Sequence, residues 1–372
     1  MFPHCKLNEK ELRAYYAKAD ENTVINSLNK ESLTFTDLIN MLSPAAAGLI
    51  EQMREKAAKA KKMHFGQTVR LYSPMYISNY CINDCEYCDF KRTHKVERRR
   101  LSIDEILKEA EIIRKYGIES LLLVSGEDPN AVSIEFLEDA VRKLKEIFSY
   151  ISIEIAPLDE SSYRKLFKAG VHGLTIYQET YQKDLYQKLH KAGPKKDYDA
   201  RLKALEDGAR AGFYNIGMGA LLGLYDWRIE AASLAAHGIW IRKHFWKSRL
   251  QFSFPRITPI KGAGGFQVPA PVSQDELEQM MLAFRIFFKE SDLFISTREN
   301  YEFRERIALT CASHISAASK VTPGGYAEAE KRTEDLGQFT INGKSSVADV
   351  KKCLENNGLE AVFKDWDNCI GY

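Results

Sequence analysis

From residue 70 to residue 320, short apolar segments alternate with amphipathic helical segments, and this alternation most constrains the fold. Such a regular pattern implies a parallel sheet, because parallel strands need a long crossover connection that is usually a helix. The short segments fit buried strands, since each is bounded by turn residues or by a helical pattern. The predicted strands occupy residues 70–80, 120–126, 151–157, 172–178, 214–223, 250–256, 292–298 and 312–319.

Eight βα units in about 250 residues favour a closed (βα)8 barrel of the TIM type over an open sheet. The segment 101–117 is a clear barrel helix, in which Ser102 and Glu105 form a capping box and Gly117 ends the apolar periodicity. Further helices are predicted at 133–148, 159–170 and 197–212. In such a barrel we expect the functional residues at the C-terminal ends of the strands.

The pattern divides the chain into three parts. Residues 1–69 are predicted to form an N-terminal helical extension, in which 41–66 has strong helix formers and a glycine stop at Gly66. Residues 70–320 form the barrel. Residues 321–372 form a C-terminal extension that packs on the barrel, with a capped helix and a short tail.

The balance of charge argues against some classes of partner. The formal net charge is +2, which gives no overall attraction to nucleic acid or to a membrane surface. One basic run, 91–100, is typical of a solvated loop, and its position also suits an anionic ligand. No stretch reaches the roughly 20 apolar residues of a membrane span. The N-terminus lacks the apolar core of a secretory signal, so we expect a cytoplasmic protein with reduced cysteines.

Three of the seven cysteines lie within the eight residues CINDCEYC, in the loop after the first predicted strand: Cys81, Cys85 and Cys88. The residues alone leave three interpretations open. A zinc site would need His94 as its fourth ligand, because no second close pair of cysteines or histidines exists. Inert thiols clustered in a loop are another interpretation. A [4Fe–4S] cluster fits best, because thiolates select it, and three ligands leave one iron open for a cofactor or substrate.

This spacing, with an aromatic residue just before the third cysteine, resembles the signature of the radical S-adenosylmethionine (SAM) enzymes. The resemblance implies a (βα) barrel, a [4Fe–4S] cluster on the three cysteines, and SAM bound to the open iron through its amino and carboxylate groups. The segment VSGEDP (124–129) is similar to the family's Gly-Gly-Glu motif, although a serine replaces the first glycine. By this resemblance the cofactor-binding residues are Tyr87, Ser125, Gly126, Glu127, Glu179 and Arg201.

Segments along nearly the whole chain are similar to one radical SAM family, the 2-iminoacetate synthases, which are the tyrosine lyases of thiamine thiazole synthesis. These segments include PMYISNYCINDCEYCDF, IEIAPLDESSYRKL, GLTIYQETY, FPRITP, STREN and ISAASKVTPGGY. The resemblance implies that a 5′-deoxyadenosyl radical, formed from SAM, removes hydrogen from the amino group of L-tyrosine. The Cα–Cβ bond then breaks, and the products are 2-iminoacetate (dehydroglycine), p-cresol, 5′-deoxyadenosine and methionine.

Three further residues match substrate-binding positions of related lyases. Arg298, at the end of the seventh predicted strand, matches an arginine that clamps the substrate carboxylate. A bidentate arginine suits that group. Ser316 matches a serine that assists, and Tyr76 matches a tyrosine near the substrate amine. His237 lies in an apolar helix, where a lone histidine is more typical of the core than of a base for the phenol.

The resemblance also implies partners and leaves alternatives. The partners are L-tyrosine as substrate, thiazole synthase as the protein that receives the product, and an electron donor such as flavodoxin or ferredoxin. One alternative is the tyrosine lyase that matures [FeFe]-hydrogenase, whose C-terminal extension carries further cysteines where this chain has only Cys353 and Cys369. A tryptophan lyase is another. An alternative of a different class is a zinc-stabilised scaffold without catalytic activity.

Overall fold

Eight parallel strands form a closed barrel in the computed structural model, which describes residues 8–258, 266–328, 337–339, 341 and 345–364. The strands are β1 (Thr68–Ser78), β2 (Ser120–Ser125), β3 (Tyr150–Glu154), β4 (Gly173–Glu179), β5 (Asn215–Ala220), β6 (Arg249–Ser253), β7 (Asp292–Ile295) and β8 (His314–Ser316). Each strand pairs with the next one, and the circle closes because β1 pairs with both β2 and β8. The predicted barrel is confirmed.

Within the described part of the chain, four helices precede the barrel: α1 (Glu9–Lys18), α2 (Glu21–Leu28), α3 (Phe35–Leu42) and α4 (Ile50–Phe65). The stretch 41–66, which is rich in helix formers, is not one continuous α-helix, because α3 ends at Leu42 and α4 begins at Ile50. Ser43 has extended backbone angles, as expected of a residue that precedes a proline. A 3-10 turn, Pro44–Leu49, then leads into α4, which ends before Gly66 as predicted.

Eight α-helices of the described chain lie between the barrel strands, two of them between β4 and β5. They are α5 (Ile103–Lys115), α6 (Ile134–Leu144), α7 (Glu160–Ala169), α8 (Lys183–Leu189), α9 (Tyr198–Ala211), α10 (Trp227–His244), α11 (Gln274–Phe287) and α12 (Tyr301–Thr310). The predicted capping box of α5 is present, because the Ser102 N–H donates to the Glu105 carboxylate (2.7 Å) and the Glu105 N–H donates to Ser102 Oγ (3.3 Å). None of the helices in the described ranges combines the length and apolar character needed to cross a membrane.

The C-terminal part contributes α13 (Val347–Asn356) and a short strand, β9 (Glu360–Val362). β9 pairs in parallel with residues 68–70, at the start of β1. The helix agrees with the sequence prediction, whereas β9 has no counterpart in it, because three residues carry too little pattern to identify a strand. The end of the predicted tail, residues 365–372, lies outside the described residues.

Candidate active site

The loop after β1 carries the three cysteines, and all three line one cavity at the C-terminal end of the barrel, which we call the outer cavity. A backbone hydrogen bond from Asp84 N–H to the carbonyl of Ala192 (3.0 Å) holds the loop on one side. On the other side it lies against the end of β2. A Cβ atom at Gly126 would stand 2.3 Å from the carbonyl oxygen of Tyr80, so this close approach requires glycine.

The ligand set fits a [4Fe–4S] cluster better than a zinc ion. His94 turns towards Asp89, whose carbonyl oxygen lies 3.1 Å from His94 Nδ1, and His94 does not line the cavity. In the ranges that the structure describes, no three His, Cys, Asp or Glu side chains are grouped as a site for a single metal ion. A [4Fe–4S] cluster does not require the three thiolates to meet at one metal ion, because each thiolate binds a different iron. Burial raises the pKa of Cys88 to about 11, so bound metal is needed to hold it as a thiolate.

Four charged side chains form a cluster beside the cysteines. The structure brings together the predicted Glu127, Glu179 and Arg201, and it adds Lys195, which sequence analysis did not identify. Arg201 Nη1 lies 2.9 Å from Glu127 Oε1, and Lys195 Nζ lies 2.6 Å from Glu179 Oε1. Although burial opposes ionisation, Arg201 and Lys195 hold the pKa of Glu127 below its usual value. Two acids and two bases therefore offer both signs of charge to a zwitterionic ligand.

Asn83, from within the cysteine motif, joins the cysteine loop to this cluster. Its side-chain oxygen accepts the Lys195 N–H (2.9 Å), and its side-chain nitrogen donates to Glu127 Oε2 (2.8 Å). Gly193, with φ of +86°, packs directly on Asn83, where a Cβ atom would lie 2.3 Å from Asn83 Oδ1. The Gly-Pro turn at 193–194 is the signal in the sequence that marks this tight packing.

Glu179 has a backbone conformation that L-residues rarely adopt. Its φ is +69°, which makes it one of two non-glycine residues with positive φ in the described chain. The register between β4 and β5 shifts just before it. Glu230 of α10 holds the residues that follow, because its carboxylate accepts the Tyr181 N–H (2.9 Å) and the Thr180 hydroxyl. Backbone strain of this kind concentrates at functional sites.

A buried histidine fixes Tyr87, the aromatic residue before the third cysteine. The Tyr87 hydroxyl lies 2.6 Å from His190 Nε2, and His190 Nδ1 lies 2.7 Å from the carbonyl oxygen of Tyr186. Burial lowers the pKa of His190 to about 3, so the ring is neutral, and its Nε2 accepts a hydrogen bond from the Tyr87 hydroxyl. Tyr87 lines the outer cavity together with Ser125 and Gly126, the remaining predicted cofactor contacts.

A second cavity, the inner cavity, adjoins the first and reaches further into the barrel. The three residues predicted to bind substrate, Tyr76, Arg298 and Ser316, all line it, and Arg298 lines both cavities. The Ser316 hydroxyl oxygen accepts the N–H of Thr297 (3.1 Å), which fixes it in the wall. The structure thus separates the predicted cofactor residues from the predicted substrate residues, with Arg298 between them.

Gln338 and Phe339 also line both cavities, although sequence analysis places them only in the C-terminal extension. The Tyr76 hydroxyl donates to Gln338 Oε1 (2.6 Å), and the guanidinium carbon of Arg298 lies 3.4 Å from the centre of the Phe339 ring. The C-terminal extension therefore supplies part of the wall of the site.

Glu154, the last residue of β3, is a further residue that sequence analysis missed. It lines both cavities. Burial, together with the nearby negative charge of Glu179, raises its pKa to about 7, although Arg298 acts in the opposite direction. The sequence offers only a weak signal, an acid at the end of a buried strand.

The arginines at the end of the basic run 91–100 make contacts within the protein. Arg98 donates hydrogen bonds to four backbone carbonyl groups of its own loop and of the end of β1. Arg99 pairs with Glu328 (2.9 Å), and Arg100 lies over the ring of Phe136, 4.6 Å from its centre. These arginines hold the cysteine loop to its surroundings, so an anion-binding role for the run gains no support.

His237 lies in the core, as its apolar helix predicts. It is 1% exposed, its Nδ1 lies 2.9 Å from the Tyr181 hydroxyl, and it lines neither cavity. This position is unsuited to a base that must reach the substrate.

Two family models match the chain. The model described as the radical SAM superfamily matches residues 75–235, which contain the cysteine loop and the four-charge cluster. The model described as the Biotin and Thiamin Synthesis associated domain matches residues 253–360, which contain Arg298, Ser316 and Gln338.

Characterised proteins match over almost the full chain. It is 38% identical over 349 residues to the 2-iminoacetate synthase of Escherichia coli (strain K12), which covers 94% of this chain and 91% of that protein. The protein of the same name from Salmonella typhimurium is 37% identical with the same coverage. A solved structure described as HydG, a maturase of the [FeFe]-hydrogenase, has a TM-score of 0.88 at 27% identity and covers 96% of this chain and 80% of that chain.

Proposed function

The chain belongs to the radical SAM superfamily and, within it, to the family of the 2-iminoacetate synthases, and from this premise we propose that it cleaves the Cα–Cβ bond of L-tyrosine. The products are 2-iminoacetate, p-cresol, 5′-deoxyadenosine and methionine, so the protein is a carbon–carbon lyase that serves thiamine thiazole synthesis. One observation carries the proposal. A cavity lined by three cysteines and by two acid–base pairs adjoins a second cavity, and Arg298 lines both.

The outer cavity holds the cofactors in this proposal. Cys81, Cys85 and Cys88 bind a [4Fe–4S] cluster through their thiolates. When bound, the cluster supplies the electron that splits SAM into methionine and a 5′-deoxyadenosyl radical. Both signs of charge on the amino-acid part of SAM find partners in the cluster of acids and bases, because such charge-assisted hydrogen bonds are strong in a buried site. The residues that hold SAM are Tyr87, Ser125, Gly126, Glu127, Glu179, Lys195 and Arg201.

The inner cavity holds the substrate. Arg298 binds the tyrosine carboxylate, with the hydroxyl groups of Ser316 and Tyr76 beside it. Burial lowers the pKa of Arg298, which means that its charged form gains stability when an anion enters the cavity. Because Arg298 lines both cavities, it places the substrate next to the SAM site, and such positioning lowers the entropic cost of bringing the reacting atoms together.

The test is to supply the reduced protein with SAM and L-tyrosine in the absence of oxygen. The expected products are p-cresol and 5′-deoxyadenosine, with glyoxylate and ammonia from hydrolysis of the imine. L-tryptophan in place of tyrosine is the matched control and should give no indole product. An indole product from tryptophan, with no p-cresol from tyrosine, would agree with membership of the radical SAM superfamily and would reject tyrosine as the substrate. Carbon monoxide or cyanide from tyrosine would favour the hydrogenase-maturation activity instead.

A further inference from the structure

Glu154 lies in the wall of the site but has no role in the reaction described above. It ends β3 next to Val124, its register partner at the end of β2, and it lines both cavities. Among the described residues, its carboxylate makes no hydrogen bond and no ion pair shorter than 4 Å. A carboxylate in such a wall is costly to ionise unless a cation or a hydrogen-bond donor approaches it.

The charges around Glu154 are largely committed to one another. Lys195 pairs with Glu179 and Arg201 pairs with Glu127. Burial and the charge of Glu179 raise the pKa of Glu154 to about 7, well above the usual value of a glutamate. The titratable and charged groups that act on Glu154 are Glu179, Arg298, Lys195 and Arg201, with the phenols of Tyr72, Tyr76 and Tyr177.

The substrate supplies the missing cation. A free amino acid at neutral pH carries an ammonium group next to its carboxylate, and Arg298 and Glu154 line the same cavity with opposite charges. Removal of a hydrogen atom from nitrogen also requires a neutral amine, because only its lone pair can stabilise the resulting nitrogen radical. The site therefore needs a group that binds an ammonium and accepts one proton from it.

We infer that Glu154 binds the ammonium of the substrate and takes one proton from it before the hydrogen atom is removed, an inference that rests on the proposed function. One N–H bond of the ammonium breaks and its electron pair stays on nitrogen, while an O–H bond forms on the Glu154 carboxylate. The amine becomes neutral, Glu154 becomes a neutral carboxylic acid, and no electron is gained or lost. Glu154 is thus a catalytic residue, since it touches the substrate.

The first test measures binding. Equilibrium dissociation constants are determined for L-tyrosine and for 3-(4-hydroxyphenyl)propanoate, which lacks the amine, with wild type, Glu154→Gln and the control Glu160→Gln. Glu160 is on helix α7 and pairs with the surface residue Arg164 (2.6 Å). We expect Glu154→Gln to bind tyrosine at least tenfold more weakly than wild type does. Its affinity for the analogue should equal that of wild type. Equal losses for both ligands, or no loss for either, would overturn the inference.

The second test follows activity against pH. In wild type, p-cresol formation should rise as the pH increases through about 7, where Glu154 loses its proton, and should then level off. In Glu154→Gln the rate should be low at pH 7 and keep rising at higher pH, as the free amine appears in solution. The iron content and the far-ultraviolet circular dichroism of Glu154→Gln should match those of wild type, which shows that the variant is folded and loaded.

Failure of the proposed function and failure of the inference about Glu154 give different results. If wild type makes no p-cresol, the proposed function fails, whatever the variant does. If wild type makes p-cresol and Glu154→Gln has the same pH profile, only the role of Glu154 is rejected. A loss of SAM affinity in Glu154→Gln with unchanged tyrosine affinity would also reject it, because Glu154 would then belong to the cofactor side.

Discussion

At the scale of single residues, the site depends on which charges are already paired. Lys195 and Arg201 lie within 2.6–2.9 Å of acidic partners, and each of these side chains is 13% exposed or less. Arg298 lies against the ring of Phe339, with its guanidinium carbon 3.4 Å from the ring centre, in a wall that lines both cavities. Such an arginine suits a ligand that arrives with its own carboxylate, because the planar guanidinium can make two parallel hydrogen bonds to it.

Replacing Arg298 should therefore affect the substrate and spare the cofactor. We expect Arg298→Ala to weaken tyrosine binding by over a hundredfold, since loss of one partner of a buried charge pair costs about 3–5 kcal/mol. Slow SAM cleavage without tyrosine should persist. Tyrosine affinity is measured by equilibrium binding, with Arg164→Ala on the exposed surface of α7 as the control. An unchanged dissociation constant for tyrosine would reject this role.

Replacing Cys85 should abolish the cofactor chemistry altogether. After anaerobic reconstitution we expect Cys85→Ala to hold little iron and to release no 5′-deoxyadenosine, because a cluster with two remaining thiolates is poorly held. Cys353→Ala is the matched control, since Cys353 lies on α13, away from both cavities. Iron analysis and product chromatography give the result. Release of 5′-deoxyadenosine at the wild-type rate by Cys85→Ala would show that the cluster assignment is wrong.

At the scale of elements, strand ends and the loops after them set the geometry. β4 ends in the strained Glu179, and α10 fixes the next two residues through Glu230. The cysteine loop after β1 is joined to the Gly193–Lys195 turn by Asn83. Each connection ties a residue of the outer cavity to a different βα unit, so the site is preorganised by elements that pack independently of any ligand.

The Glu230 contact predicts a dependence of stability on pH. Burial raises the pKa of Glu230 from 4.5 to about 7, so the folded chain keeps a proton that the unfolded chain has already released. The contribution of Glu230 to stability is therefore lost as pH rises from about 4.5 to about 7. Glutamine keeps one acceptor for the Tyr181 N–H and cannot ionise. Between pH 5 and pH 8 we expect Glu230→Gln to gain up to about 3 kcal/mol relative to wild type.

Denaturant unfolding of the apo-protein at several pH values measures this gain. Glu160→Gln, on the exposed face of α7, serves as the control and should follow wild type at every pH. If Glu230→Gln and wild type lose stability in parallel as pH rises, Glu230 does not titrate in this range.

At the scale of the whole molecule, the two cavities are lined by parts of the chain that lie far apart in sequence. The barrel supplies most of the walls, and the C-terminal extension adds Gln338 and Phe339. A site walled from several sides limits the access of water, which protects a radical reaction. The imine product has no such protection once it leaves, because water hydrolyses it.

Because water hydrolyses the imine product, we predict a protein partner that receives it directly. We expect thiazole synthase to co-elute with the full chain at micromolar concentration, under anaerobic conditions with SAM and tyrosine present. The extensions 1–69 and 321–372, which flank the barrel, are the proposed docking surfaces. Free glyoxylate should appear more slowly when the partner is added, while p-cresol formation is unchanged. Absence of co-elution together with unchanged glyoxylate release would count against direct transfer.

The sequence by itself determined the barrel and the placement of its best-marked residues. The alternation of apolar runs and helices records which faces are buried, so it identifies eight βα units whose ends differ from the observed ones by a few residues. The three cysteines are also local, because they fall within one loop, and their spacing favours a [4Fe–4S] cluster over the zinc and inert-thiol interpretations. Arg298 was identified by its match to related lyases, together with its place at the end of the seventh predicted strand.

Only the tertiary structure decided which side chains meet. Asn83 and Lys195 are 112 residues apart, and Tyr76 and Gln338 are 262 residues apart, yet each pair is joined by a hydrogen bond. No local pattern encodes such a contact, since only the closure of the barrel and the packing of the C-terminal extension against it bring these segments together. The same holds for Glu154: its place at a strand end is local, but the charges that surround it come from other strands and loops. The burial of the Glu154 carboxylate among those charges makes it a candidate base, and no sequence pattern shows that burial.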